Sequence, residues 1–168
     1  MDQPPWHYRE FEAFVASAAG RLLRVAALLT AGPETGDAAA RRLLTGALAR
    51  TYADWRRLRG EDPYDATRQE LCAAFARTGR RHHGGVGVLA PLSPPERLVL
   101  VLRSYEGLAE EVTAARLGLS PDRVRTRYHR AVAVLRPTAP AAPATDGPSG
   151  APGPSGPSGA SRRLPGAS

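Results

Sequence analysis

The sequence has a single cysteine, Cys72, and not one lysine among its 23 basic residues. A lone thiol excludes any intrachain disulfide, and with it the small secreted scaffolds that staple a thin core. Aromatic residues make up only 6% of the chain, which disfavours a sandwich of Val-, Tyr- and Trp-rich strands and suits small helical domains. No run approaches 18 uninterrupted apolar residues, because Leu22 to Leu29 is broken by Arg24 and stops at Thr30. The opening MDQPPWHYREFEAF contains an acid early and no apolar block of the signal-peptide kind. The expectation is therefore a soluble, cytoplasmic protein with no membrane segment.

Chemistry-bearing patterns are also scarce. Zinc-type Cys/His spacing, a Gly-rich phosphate loop and a His–Cys or carboxylate constellation are all missing. We expect no catalytic residue, no metal, no cofactor, no small-molecule substrate and no enzyme. Cys72, beside Leu71, Ala73 and Ala74, has the surroundings of a small buried residue. The pair His82-His83 could touch a metal, but adjacent histidines point different ways on most backbones.

What is present is more informative. Hydrophobic residues are 42% of 168, enough for the core of one ordinary domain or two small ones. The formal charge of +7 points to a polyanionic partner. Exclusive use of arginine fits a GC-rich coding sequence, which leaves the placement of the arginines unexplained.

Composition divides the chain into a helical region at 8–79, a Gly/His/Arg linker at 80–92, a second helical region at 93–136 and a Pro/Gly/Ser-rich tail at 137–168. In the first region Phe11, Phe14, Val15, Ala18, Leu22, Val25, Ala26 and Leu29 recur at three- and four-residue steps, the spacing of one helix face. Gly32-Pro33 closes that helix. Leu44, Ala47, Leu48, Thr51, Tyr52, Trp55 and Leu58 mark a second face. Asp62-Pro63 supplies an N-cap with proline at the first helical position, opening a third helix with Tyr64, Leu71, Ala74 and Phe75. Three such helices make a small bundle. The glycines of the linker favour a flexible reading, and the five Gly-x-y triplets of the tail are too few for a collagen helix, so the tail is expected to be disordered.

The second region holds the most specific pattern. Ser93-Pro94-Pro95-Glu96 is a capping box with proline at its start, followed by the apolar Leu98, Val99, Val101 and Leu102. After a helix ending at Leu117 comes Gly118-Leu119-Ser120-Pro121. Ala114 stands four residues before Gly118, and Val124 six after it. A helix-turn-helix needs a small residue for close helix approach, a glycine for the backbone twist and an aliphatic anchor on the second helix. Val124, Tyr128, Ala131, Val132 and Leu135 form the apolar stripe of that second helix. Arg125, Thr126, His129 and Arg130 fan over the opposite side, with Arg123 and Arg127 at its edge. An apolar side that docks and a basic side that faces outward are the two requirements of a helix entering the major groove.

The run LSPPERLVLVLRSYEGLAEEVTAARLGLSPDRVRTRYHRAVAVLR (Leu92–Arg136) resembles region 4 of extracytoplasmic-function sigma factors of the sigma-70 family. That resemblance implies reading of the −35 promoter element through Arg123, Arg125, Thr126, Arg127 and Arg130. FEAFVASAAGRLLRVAALLT and ALARTYADWRRLR are similar to region 2 of the same family, whose second helix binds the polymerase clamp. The resemblance implies polymerase contacts at Leu44, Leu48, Tyr52 and Trp55. This region 2 is degenerate: Arg41 and Arg42 stand where the family has acids, and Thr45-Gly46 where it has Gln-Glu. Thr113 occupies a position usually aliphatic.

The fold expected is all-α, with a region-2-like three-helix bundle and a region-4-like helix-turn-helix domain. The function expected is that of an extracytoplasmic-function sigma factor with promoter DNA and core RNA polymerase as partners, and an anti-sigma factor as a third. The alternative is a sigma-like regulator that binds DNA or a protein but does not open promoters.

Overall fold

The computed structural model describes residues 6–32, 37–58, 60–82 and 85–136; the tail at 137–168 and His83 lie outside the described residues. The described residues form six α-helices and no strand: α1 (Trp6–Thr30), α2 (Ala38–Asp54), α3 (Pro63–Thr78), α4 (Pro94–Leu100), α5 (Glu110–Leu117) and α6 (Pro121–Leu135). A 3-10 turn at Gly79–His82 follows α3, and a π-turn at Val101–Tyr105 extends α4. The all-α class expected from the periodicity holds.

Each start follows from its cap. Asp62 accepts from the Tyr64 amide at 2.9 Å with Pro63 behind it, where a missing N–H removes nothing. At α4 the Glu96 carboxylate accepts from both the amide (2.9 Å) and the hydroxyl (2.6 Å) of Ser93. Asp37 accepts from the Ala39 amide at the start of α2 and from the Thr30 hydroxyl at the end of α1, so one carboxylate joins the two helices. Burial pushes the Asp37 carboxyl up, but these hydrogen bonds outweigh it and hold the group below its ordinary value.

Helix α1 is the spine. By length and composition it could cross a membrane, yet Leu22, Val25, Ala26 and Leu29 are completely buried against the rest of the protein. They share one core with Leu71 and Phe75 of α3, with Leu92 of the linker, and with Leu98, Val101 and Leu102 of the second helical segment. The two segments thus bury their apolar faces partly against each other, and the chain through Arg136 forms one unit. At about 25 cal/mol per Å² of apolar surface, this shared burial favours the packed arrangement over two separate small cores.

The linker takes part in this packing. Leu89 and Leu92 are buried, and the Ala31 carbonyl at the end of α1 accepts the amides of Val86 (3.1 Å) and Gly87 (3.0 Å). A Cβ on Gly87 would lie 2.9 Å from the Gly32 carbonyl oxygen, and Gly85 has φ +121° with the Ala31 carbonyl beside it. The described glycines here permit close backbone approach, a use of glycine that composition alone does not separate from flexibility.

Arg97 locks the same junction. Its side chain is fully buried, and it donates through Nε to Leu89 (3.0 Å) and Leu92 (3.1 Å), and through Nη1 to Leu29 (3.2 Å) and His82 (2.7 Å); Nη2 reaches Ala90 at 3.3 Å. These acceptors, on described residues, are backbone carbonyls. A planar fork with five donors suits this task.

Candidate nucleic-acid interface

Helices α5 and α6 are joined at Gly118, whose φ of +63° is left-handed, and the Leu119 amide closes back on the Ala114 carbonyl at 3.0 Å. The turn is a glycine-terminated helix end of the Schellman kind. Ser120 then caps α6 by accepting from the Arg123 amide at 3.4 Å. Val124 of α6 is wholly buried on Ala114 of α5 and Val99 of α4, with Leu117, Leu119 and Tyr128 around them. Of the three residues singled out by spacing, Ala114 and Val124 pack in one cluster, and Gly118 takes the left-handed turn between their helices.

Thr113 is also fully buried, its hydroxyl donating to the Ala109 carbonyl at 2.9 Å, so its polar atom is satisfied within the helix. Val112 is exposed instead. Tyr128 is braced from the π-turn, with Ser104 Oγ 3.1 Å from its hydroxyl and the Arg103 guanidinium 5.6 Å from the ring centroid.

Docking α6 this way leaves Arg123, Arg125, Thr126, His129 and Arg130 exposed, while Arg127 is half-buried beside a groove lined by Phe75, Pro94, Leu98 and Leu117. The outward residues are not equivalent. Arg125 meets Glu110 of α5 with Nη2–Oε1 at 2.6 Å and Nε–Oε2 at 3.4 Å, and Asp122 lies 3.2 Å from Nη1. The hydrogen bond to Glu110 and the nearby charge raise the Arg125 pKa above its ordinary value. Among the described residues, Arg130 has a long approach to Glu96, 3.8 Å. Glu110 carries no signal in the sequence beyond its place in the first turn of a helix.

The four residues proposed for polymerase contact separate by burial. Leu44 is a core residue and Leu48 packs against that core. Trp55 is half-buried on Phe11 and Phe14, with ring centroids 5.1 and 5.5 Å away, and Tyr52 is exposed beside Phe11. Arg41, Arg42, Thr45 and Gly46 all face outward on α2.

A left-handed glycine turn between two packed helices, with arginines on the outward face of the second, defines a helix-turn-helix protein of the DNA-binding class. Comparison with known proteins narrows it. Residues 88–137 match the family model for sigma-70, region 4. The chain is 34% identical over 153 residues to the RNA polymerase sigma-E factor of Streptomyces coelicolor A3(2), covering 76% of this chain and 84% of the relative. It is 33% identical to the proteins of the same name from Streptomyces avermitilis and Streptomyces antibioticus, each over 76% of this chain and 83% of the relative. No solved structure is a significant match. The chain belongs to the sigma-70 family of RNA polymerase sigma factors, in its extracytoplasmic-function group, and is a sigma factor for transcription initiation.

Proposed function

We propose that α6 is the promoter-reading helix, entering the major groove at a −35 element with Arg123, Arg125, Thr126, His129 and Arg130 facing the DNA and Arg127 at its flank. The observation that carries this reading is the seating of Val124 on Ala114 and Val99, which fixes the helix by its apolar side and turns the exposed arginines outward. Residues 8–79 would act as the region-2-like domain that holds core RNA polymerase and the −10 element, with 93–136 as the region-4-like domain and 80–92 joining them. Tyr52 and Trp55 are the contact residues that the packing leaves within reach of polymerase, and Leu44 supports them from the core. Such a protein works on the chromosome in the cytoplasm and catalyses no reaction itself.

The exposed Arg41 and Arg42 on α2 favour a second reading, a sigma-derived regulator that binds DNA or a protein partner without opening promoters. A basic docking surface repels a basic partner surface, and like charges placed together can cost several kcal/mol. One experiment separates the two. Full-length protein is mixed with core RNA polymerase and genomic promoter fragments, and polymerase binding and promoter-specific transcripts are scored. Transcripts that require the protein support the first reading; DNA binding without polymerase binding supports the second; neither activity would remove both.

A further inference from the structure

We propose that Glu110 is the positioning residue for Arg125, holding its guanidinium by one edge so that the remaining donors read a guanine; this rests on the reading of α6 as the recognition helix. The two residues are 15 apart and belong to different helices, yet Arg125 offers Nε and Nη2 together to the two oxygens of Glu110. These two nitrogens form one edge of the planar fork. Glu110 is itself a firm support: its side chain is 16% exposed, against 56% for Arg125, and a carboxylate in the first turn of α5 is favoured by the helix dipole.

Donor counting then decides what Arg125 has left. A guanidinium has five N–H groups. Glu110 takes one on Nε and one on Nη2, and Asp122 takes one on Nη1. One hydrogen on Nη2 and one on Nη1 remain; with Asp122 placed on the Nη1 hydrogen beside Cδ, the outer Nη1/Nη2 edge reaches O6 and N7 of guanine.

Charge argues against the other occupation, a phosphate. Two carboxylates surround this single arginine, so the cluster is net negative and would repel the DNA backbone. Guanine's major-groove edge is neutral and accepts hydrogen bonds, so it tolerates the nearby acids. Arg123 and Arg130, which have no such close carboxylate partner among the described residues, are the residues suited to phosphates.

The test uses the full-length chain, alone and with core RNA polymerase, on a pool of random-sequence duplexes that is enriched for binding and sequenced. Wild type, Glu110→Gln and Arg125→Lys are then titrated at several salt concentrations against the enriched duplex, the same duplex with each guanine replaced, and a shuffled duplex. Core polymerase alone serves as the blank, and circular dichroism melting checks each variant's fold.

The expected result is that Glu110→Gln loses about tenfold of the preference for one guanine. Its binding to shuffled DNA stays equal or tightens, and its salt slope is unchanged. Arg125→Lys, which keeps the charge but cannot be held by an edge, should lose the same preference even if Glu110→Gln folds poorly. Tighter binding to every duplex with the guanine preference intact would make Glu110 a simple electrostatic brake and overturn the proposal. An enriched sequence without a guanine sensitive to these variants would also overturn it. No enriched sequence at all would overturn the recognition-helix reading and this inference together.

Discussion

The carboxylate of Glu106, entirely withdrawn from solvent, accepts a hydrogen bond from Arg68 of α3 at 2.7 Å. Arg21 of α1 (3.2 Å) and the Tyr64 hydroxyl (2.9 Å) bind the same carboxylate, so one acid of the second helical segment gathers three donors from the first. Burial and the hydrogen bond to Glu106 both push the Tyr64 hydroxyl well above its ordinary pKa, so Tyr64 stays a donor. Arg68 is nearly buried as well, and without the Glu106 charge it keeps only Asp65, 2.5 Å from Nη2, as a carboxylate partner among the described residues. Glu106→Gln should therefore lose about 1.5–3 kcal/mol, measured by urea unfolding, because the charged acceptor of three donors is replaced by a neutral one. A single variant within 1 kcal/mol of wild type would show that the cluster is not what joins the segments.

Arg97 is a fully buried cation that donates to backbone carbonyls from several segments. Burial lowers its pKa, and its guanidinium donates to the carbonyls of Leu29, His82, Leu89, Ala90 and Leu92. Arg97→Met preserves much of the volume and removes a donor from the carbonyls of Leu29, His82, Ala90 and Leu92, while that of Leu89 keeps the Leu92 amide at 3.0 Å. Each buried acceptor left unsatisfied costs about 1–3 kcal/mol, so a loss of about 3 kcal/mol or more is expected. Arg97→Lys should recover only a part, because an ammonium cannot present a flat fork. Equal stability of the methionine variant would mean that water replaces the guanidinium without penalty.

His82 supplies a pH dependence. Its ring stacks on Phe75, with centroids 5.6 Å apart, and burial holds its pKa below the ordinary 6.5. Asp37 acts in the other direction, while Arg97, Arg42 and Arg81 add to the lowering. The unfolded chain therefore takes up a proton near pH 6.5 before the folded chain does, and stability should fall as the pH drops below that value until His82 protonates in the fold. Melting temperatures at successive pH values should show this decline, and His82→Gln should flatten it. The same slope in the variant would assign the effect elsewhere.

Cys72 gives a chemical readout of opening. Burial pushes its thiol up to about 12, so almost no thiolate exists at neutral pH. A thiol reagent should label the native protein at least a thousandfold more slowly than the unfolded chain, in line with an opening free energy of about 5 kcal/mol. Fast native labelling would place Cys72 at a surface.

The helices were legible because their signals are local. Leu22, Val25 and Leu29 mark one face of α1, Asp62-Pro63 and Ser120-Pro121 mark two starts, and Gly118 marks the left-handed turn. The outward arginines of α6 followed from the same geometry. Arg97 was not legible, since its acceptors are backbone carbonyls and any sequence supplies those. Glu106 reads as the polar end of a helix, because its partners lie 38, 42 and 85 residues away. Nor does the linker's glycine content separate mobility from close approach; that distinction rests on Ala31, whose carbonyl meets Val86 and Gly87. Glu110 was missed because an ion pair across 15 residues has no periodicity to announce it.

The bond from Arg97 to the Leu29 carbonyl spans 68 residues, and it has a consequence for synthesis. Translation delivers the N-terminal helices first, at about 5–20 residues per second, so α1 leaves the ribosome several seconds before the guanidinium that caps its end exists. During that interval its apolar face lacks Leu98, Val101 and Leu102 as neighbours. The nascent chain is therefore a natural client for chaperones until the second helical segment emerges, and ribosome-stalled chains ending before Pro94 should be cleaved by protease far faster than chains that include residue 136.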